Sequence, residues 1–112
     1  MKTETVLLGD IAYARSGDKG SSANIGVIVR KEQDYSVIKE QLTSERVAAF
    51  FSKLQLRGVK RYELPNLWAL NFVLEGVLAG GGSRSLRTDA QGKALGQAIL
   101  EMKIELPDAN TK

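Results

Sequence analysis

The sequence predicts a single α/β domain, and three observations predict it. Asn24 to Arg30 alternates with the two-residue period of a strand, placing Ile25, Val27 and Val29 on one side and Asn24, Gly26 and Ile28 on the other. Val47, Phe50, Phe51 and Leu54 recur at the i, i+3, i+4, i+7 spacing of one helical stripe. The 112 residues carry no internal repeat, low-complexity tract or interdomain linker, so one core is expected across 1–112, with a frayed tail at 108–112.

The elements follow in order. Val6 to Ala14 reads as a strand broken by Gly9 and Asp10, and the turn-rich run Arg15 to Ser22 reads as a loop. The strand from Asn24 then returns as its antiparallel partner. Asp34 is positioned to cap a short helix bearing Tyr35, Ile38 and Leu42, and Ser44 to cap the second helix, with Glu45, Arg46 and Lys53 facing water. Gly58 closes this region. Val59 to Leu64 reads as a strand whose Lys60, Arg61 and Glu63 suit a sheet edge ahead of Pro65.

Leu67 to Ala79 is almost wholly apolar and reads as a helix capped by Asn66. Asn71 and Glu75, four apart, would form its one polar stripe; a strand through Leu70 to Leu74 is the rival. Gly80 to Gly82 break that element, and Ser83 to Arg87 follow as a loop or short strand. Thr88 and Gln91 fit a capping box for a last helix with Leu95, Ile99 and Met102 inward, while Gly92 and Gly96 permit close packing. Lys103 to Leu106 supplies a final strand.

Composition excludes whole classes of chemistry. Apolar residues make up 43% and charged residues 26%, ordinary values for a chain that buries a core. Without cysteine there is no disulfide, thiolate nucleophile or Cys-ligated zinc. Without histidine there is no Ser-His-Asp triad or His-ligated metal, and acid or base work falls to Asp, Glu, Lys or Tyr. No metal or cofactor is expected, since Asp10, Asp18 and Asp89 match no ligand spacing. Met1 to Leu8 lacks the apolar run of about 7 to 15 residues of a secretory signal, and nothing approaches the roughly 18 needed to span a bilayer. A cytoplasmic location and no membrane association are expected.

A net charge of +3, with cations and acids interspersed, argues only weakly for nucleic acid. Phe50, Phe51 and Trp68 read as core, and no aromatic is read as alternating with basic residues on a strand. No nucleic-acid partner is therefore expected.

Candidate polar chemistry gathers in two glycine-bearing segments. Arg15, Ser16, Asp18 and Lys19, with Gly17 and Gly20, can hold an anion between backbone N–H groups and two cations, Asp18 serving to orient one of them or as a base. The same residues also suit any solvated turn. In the second segment Gly81 and Gly82 allow close backbone approach, beside Ser83 and with Arg84 and Arg87 able to fork onto a carboxylate or phosphate. It is no P-loop, because Ala94 follows Gly92-Lys93 and position 87 is Arg; nor is it a dinucleotide fingerprint, for want of glycine at 85. Asn71 can orient a ligand or bond to backbone.

The strings Ala14 to Gly20, Asn24 to Val27, Arg61 to Leu67, Leu70 to Leu74 and Gly80 to Arg87, followed by Asp89 and Gln91 to Lys93, carry a resemblance. In that order, over roughly Leu8 to Glu105, the chain resembles the C-terminal domain of the acyclic terpene utilisation protein A family. The resemblance implies a ferredoxin-like two-layer sandwich, a small mixed or antiparallel sheet with helices on one face. It also implies a setting in the degradation of acyclic terpenoids and branched acids through acyl-CoA intermediates. Many relatives join this domain to a much larger N-terminal one, so a larger subunit of that type is an expected partner.

Three functions remain open. The leading expectation is an accessory module that binds an anionic ligand, an acyl-CoA or a carboxylate, and docks on the larger subunit. Its candidate ligand contacts are Arg15, Ser16, Asp18, Lys19, Asn24, Asn71, Gly81, Gly82, Ser83, Arg84 and Arg87. A small acyl-substrate hydratase or isomerase using Asp18 or Lys19 is the second. A structural subunit, with homo-oligomers expected, is the third.

Overall fold

A computed structural model describes residues 3–19, 22–54, 56–76 and 93–107. In chain order the elements are β1 (Thr3–Leu7), β2 (Ala12–Lys19), β3 (Ser22–Val29), α1 (Glu32–Gln41), α2 (Ser44–Phe50), β4 (Gly58–Leu64), β5 (Ala69–Glu75), α3 (Lys93–Ile99) and β6 (Lys103–Pro107). Strands β2, β3, β5 and β4 form one sheet in that spatial order, every pair antiparallel, and β1 pairs separately with β6. The three helices among the described residues pack on one face of the larger sheet, an α+β ferredoxin-like arrangement.

The expected alternation in β3 holds residue by residue: Ala23, Ile25, Val27 and Val29 are buried, while Ser22, Asn24, Gly26 and Ile28 are partly exposed. β4 lies at a sheet edge, as its charges foretell. The break at Gly9 and Asp10 is a short 3-10 turn, Leu8–Asp10, in which the Asp10 carboxylate accepts the Leu7 N–H at 2.9 Å. That turn redirects the chain from the β1/β6 ribbon into the larger sheet.

Two sequence expectations are corrected. Arg15 to Lys19 is strand, not loop: β2 pairs with β3 continuously from Ala12 opposite Val29 to Lys19 opposite Ser22, leaving only residues 20 and 21 between the strands. Hydrogen bonding along the full length of β3 overrides the turn preference of Ser, Gly and Asp. Likewise Ala69–Glu75 is strand rather than helix, with Leu70, Phe72 and Leu74 buried and Asn71, Val73 and Glu75 partly exposed. Much of the apolar run therefore serves this domain's own core. Gly76 at φ +82 terminates the strand, where a side chain would be strained and would meet Arg57.

Helix starts shift slightly. α1 begins at Glu32, with Asp34 inside its first turn, and α2 is capped by Thr43, whose hydroxyl accepts the Arg46 N–H at 3.0 Å. The latter helix ends at Phe50, so the anticipated stripe is cut short: Val47 and Phe51 are buried, but Phe50 is exposed. Leu95, Ile99 and Met102 are inward as expected, and Leu8, Ile38, Leu42 and Ile104 join them and the sheet in one core cluster.

Polar side chains fasten the layers. Arg61 in β4 donates to the Lys39 and Leu42 carbonyls at 2.7 and 2.9 Å, satisfying acceptors at the end of α1. The Gln41 amide both donates to the Glu105 carbonyl (2.6 Å) and accepts its N–H (2.8 Å), extending the backbone pairing of β6 onto α1. Arg46 donates to the Lys103 carbonyl.

Candidate functional site

The four-stranded sheet has one face under the helices and one face that is bare among the described residues. Register assigns Tyr13, Arg15 and Gly17 of β2, Asn24, Gly26 and Ile28 of β3, Asn71 and Val73 of β5, and Lys60, Tyr62 and Leu64 of β4 to the bare side. Exposure agrees: Tyr13, Arg15, Lys60, Tyr62 and Leu64 are exposed, and the positions on the central strands are partly so. Across the middle runs one row, Arg15 opposite Gly26, Gly26 opposite Asn71, and Asn71 opposite Tyr62.

Asn24, in the next row opposite Gly17 and Val73, reaches across to Asn71 so that the two amides meet. Asn24 Nδ2 donates to Asn71 Oδ1 at 3.4 Å, a long bond that leaves most of both amides' capacity unused. Gly17 and Gly26 keep the surroundings low. A Cβ at Gly17 would come within 3.4 Å of Asn24 Oδ1, and one at Gly26 within 3.8 Å of Asn71 Oδ1. The outcome is a shallow polar trough with Arg15 on one bank and Tyr62 on the other. Arg15 has no ion pair or hydrogen bond among the described residues, so its guanidinium can meet an anion without first giving up a partner.

Three sequence-chosen residues, Arg15, Asn24 and Asn71, thus converge on one surface. Ser16 goes elsewhere. Its hydroxyl accepts the Gly96 N–H at 3.3 Å in the first turn of α3, and a Cβ on Gly96 would approach Ser16 Oγ to 3.1 Å. This is the close helix-to-strand approach for which Gly96 was singled out, and it gives Ser16 a structural task. Asp18 and Lys19 lie in β2 opposite Ala23 and Ser22. Gly81, Gly82, Ser83, Arg84 and Arg87, the capping pair Thr88 and Gln91, and the tail after Pro107 lie outside the described residues.

Sequence reasoning missed the aromatics of the bare face. Trp68 at the end of that face and Phe50 on α2, both read as core, are 37% and 41% exposed, whereas Phe51 is buried as expected. The view that no aromatic alternates with a basic residue on a strand is also corrected: Tyr13 and Arg15 do so in β2, and Lys60 and Tyr62 in β4. In β2 the aromatic-x-basic spacing was hidden while Arg15 counted as loop; in β4, already read as a strand, it was plain as Lys60-x-Tyr62.

Electrostatics separate this face from the rest. Lys60 pairs with Glu75 at 3.4 Å on the bare side, a solvent-screened contact of small energetic weight. The Tyr35 phenol, by contrast, is shielded on α1 with no hydrogen-bond partner among the described residues. Loss of hydration raises its pKa above the ordinary 10.0, Glu63 raises it further, and Arg61 opposes the shift. Among the described residues no helix is long and apolar enough to cross a membrane.

No functionally curated protein and no solved structure matches the chain. The AtuA ferredoxin-like domain matches residues 6–105, from within β1 to within β6. Among the described residues that span takes in the whole four-stranded sheet with its bare face, the three helices and part of the β1/β6 ribbon, and on it the chain belongs to the AtuA ferredoxin-like domain family.

Proposed function

We propose that this domain is an accessory binding module that holds a carboxylate or acyl thioester on the bare face of its sheet and docks on a larger subunit. The setting is acyclic terpenoid and branched-acyl catabolism, which the family resemblance implies. One observation supports the reading most: Arg15, Asn24 and Asn71 share a trough kept open by Gly17 and Gly26. A guanidinium and two under-used amides offer charge plus directed donors to an anionic oxygen pair. Exposed Tyr62, Leu64 and Leu67 beside the trough provide apolar area for an acyl chain or a partner. Arg84 and Arg87 are proposed to contribute to the same ligand.

Calorimetric titration with branched carboxylates and acyl-CoA, on the chain alone and with its partner, is the test. Binding is expected to weaken by about tenfold or more in Arg15→Ala, as follows from losing one charge-assisted hydrogen bond, and Asn71→Ala and Arg84→Ala are expected to weaken it as well. Absent binding, or affinity unchanged in Arg15→Ala and Arg84→Ala, removes the ligand reading.

A further inference from the structure

At one end of the bare face, where β2 and β3 meet the turn Pro65–Leu67, lies an open depression of about 470 Å³ lined by Tyr13, Ile28, Arg30, Asn66, Leu67 and Trp68. Its size is within the range of about 300 to 1,000 Å³ usual for small-molecule sites. Two aromatic rings border it, both substantially exposed. The Arg30 guanidinium lies 5.9 Å from the Tyr13 ring centroid, and Nη1 donates to the Gly9 carbonyl at 3.2 Å. Those contacts orient the guanidinium while most of its five donors stay available on an exposed residue.

Trp68 is the informative residue. Its backbone is left-handed, at φ 53 and ψ 44, and is the sole non-glycine with positive φ among the described residues. The conformation is enforced from both sides: the Trp68 N–H donates to the Pro65 carbonyl (3.2 Å), and its own carbonyl accepts the Val29 N–H (3.1 Å). Glycine or asparagine suits such a position, and a bulky side chain there is strained. Burial accounts for the tryptophan only in part, because 37% of the residue stays in solvent. A strained, exposed aromatic held rigidly beside a second aromatic and an oriented cation fits recognition better than folding.

The geometry points to a binding site at the Tyr13–Trp68 depression for a planar heteroaromatic ring carrying an anionic group, the chemistry of a mononucleotide. The ring lies against the two aromatic side chains, and the phosphate meets Arg30. Ile28 and Leu67 supply an apolar border, and Asn66 a donor and acceptor for the edge of the ring. The site shares Leu67 with the apolar border proposed beside the Arg15 trough but none of the trough's polar residues, and its AMP test is independent of Arg15.

Trp68 is the chain's one tryptophan, so its fluorescence reports on the depression directly. AMP is the probe, with adenosine and inorganic phosphate as its two halves. AMP is expected to give a saturable change, with each half weaker by about tenfold, as follows from losing either the stacking or the charge-assisted contact. Tyr13→Ala and Arg30→Gln are expected to weaken AMP by a similar factor. Trp68→Gly suits the left-handed backbone. Calorimetry on that variant is expected to show AMP binding lost while the unfolding temperature is unchanged or higher.

A flat AMP titration overturns the inference, as does wild-type affinity in both Tyr13→Ala and Arg30→Gln. A Trp68→Gly chain that melts well below wild type assigns the ring to folding and overturns it too. Carboxylate binding that depends on Arg15, found together with a flat AMP titration, refutes this site and leaves the trough standing.

Discussion

The two faces of the four-stranded sheet come from the same strands and obey opposite rules. Under the helices, every central position is apolar: Ala23, Ile25, Val27 and Val29 on β3, and Leu70, Phe72 and Leu74 on β5. On the bare side the same strands offer Asn24, Gly26, Asn71 and Val73, and the edge strands add Tyr13, Arg15, Lys60 and Tyr62. One face is built to exclude water. The other presents rings, amides and cations to it, without the uniform polarity of a merely solvated surface. Stability should therefore be concentrated on the first face and binding on the second.

The largest expected effect tests that division directly. Phe72 is fully buried, and Phe72→Ala is expected to cost about 3–5 kcal/mol through lost transfer energy and the cavity left behind. Tyr62 sits on the opposite side of the sheet at 49% exposure, opposite Asn71, the neighbour of Phe72. Tyr62→Ala is expected to stay within about 0.5 kcal/mol. Urea unfolding of both variants gives the comparison, and comparable losses would show that the bare face belongs to the core.

The two arginines give the next test. Arg61 is turned toward the helices, where it bonds two carbonyls of the α1 terminus and Glu63 at 3.1 Å, with 21% of its side chain exposed. Arg61→Ala is expected to cost about 2 kcal/mol, the scale of hydrogen bonds to a charged group whose removal leaves carbonyls unsatisfied. Arg15 is exposed on the bare face, and Arg15→Ala is expected to leave stability within about 0.5 kcal/mol while weakening ligand. A large stability loss from Arg15→Ala, seen in the same unfolding experiment, would make that residue structural and dissolve the contrast.

The asymmetry also sets how much the sequence could reveal. β3 was legible because its two faces differ in polarity at almost every step, and β4 because its charges announced an edge. β5 was not. Asn71 and Glu75 are four apart, a spacing that suits a helix and a strand alike, and the outward Val73 removes the polar residue that would have marked a period of two. β2 was hidden for the opposite reason: an edge strand with one bare face needs few apolar residues, so Arg15-Ser16-Gly17-Asp18-Lys19 has a turn's composition and a strand's pairing. Of the candidate site, Arg15, Asn24 and Asn71 were legible as polar residues. Their convergence depends on the register of three strands, which local composition does not carry. Tyr13, Tyr62 and Trp68 were missed because a half-exposed aromatic looks like a core residue until its face is known.

The smallest expected effect concerns the tyrosines, which the two faces treat differently. Tyr13 and Tyr62 are exposed on the bare side, whereas the Tyr35 hydroxyl is shielded without a partner among the described residues, with Lys39 Nζ 6.0 Å from its ring centroid. Tyr35→Phe deletes a desolvated group that returns no hydrogen bond. At neutral pH it is expected to change stability by no more than about 0.5 kcal/mol, in the stabilising direction. The pH dependence is more telling. With the folded pKa raised above 10.0, the folded state keeps the phenolic proton after the unfolded chain has begun to lose it. Stability from this group is then complete below about pH 10 and falls as pH rises through the raised folded value. Urea midpoints measured across that alkaline window should fall less steeply in Tyr35→Phe than in the wild type. Equal slopes for Tyr35→Phe and the wild type would mean that Tyr35 is hydrated after all.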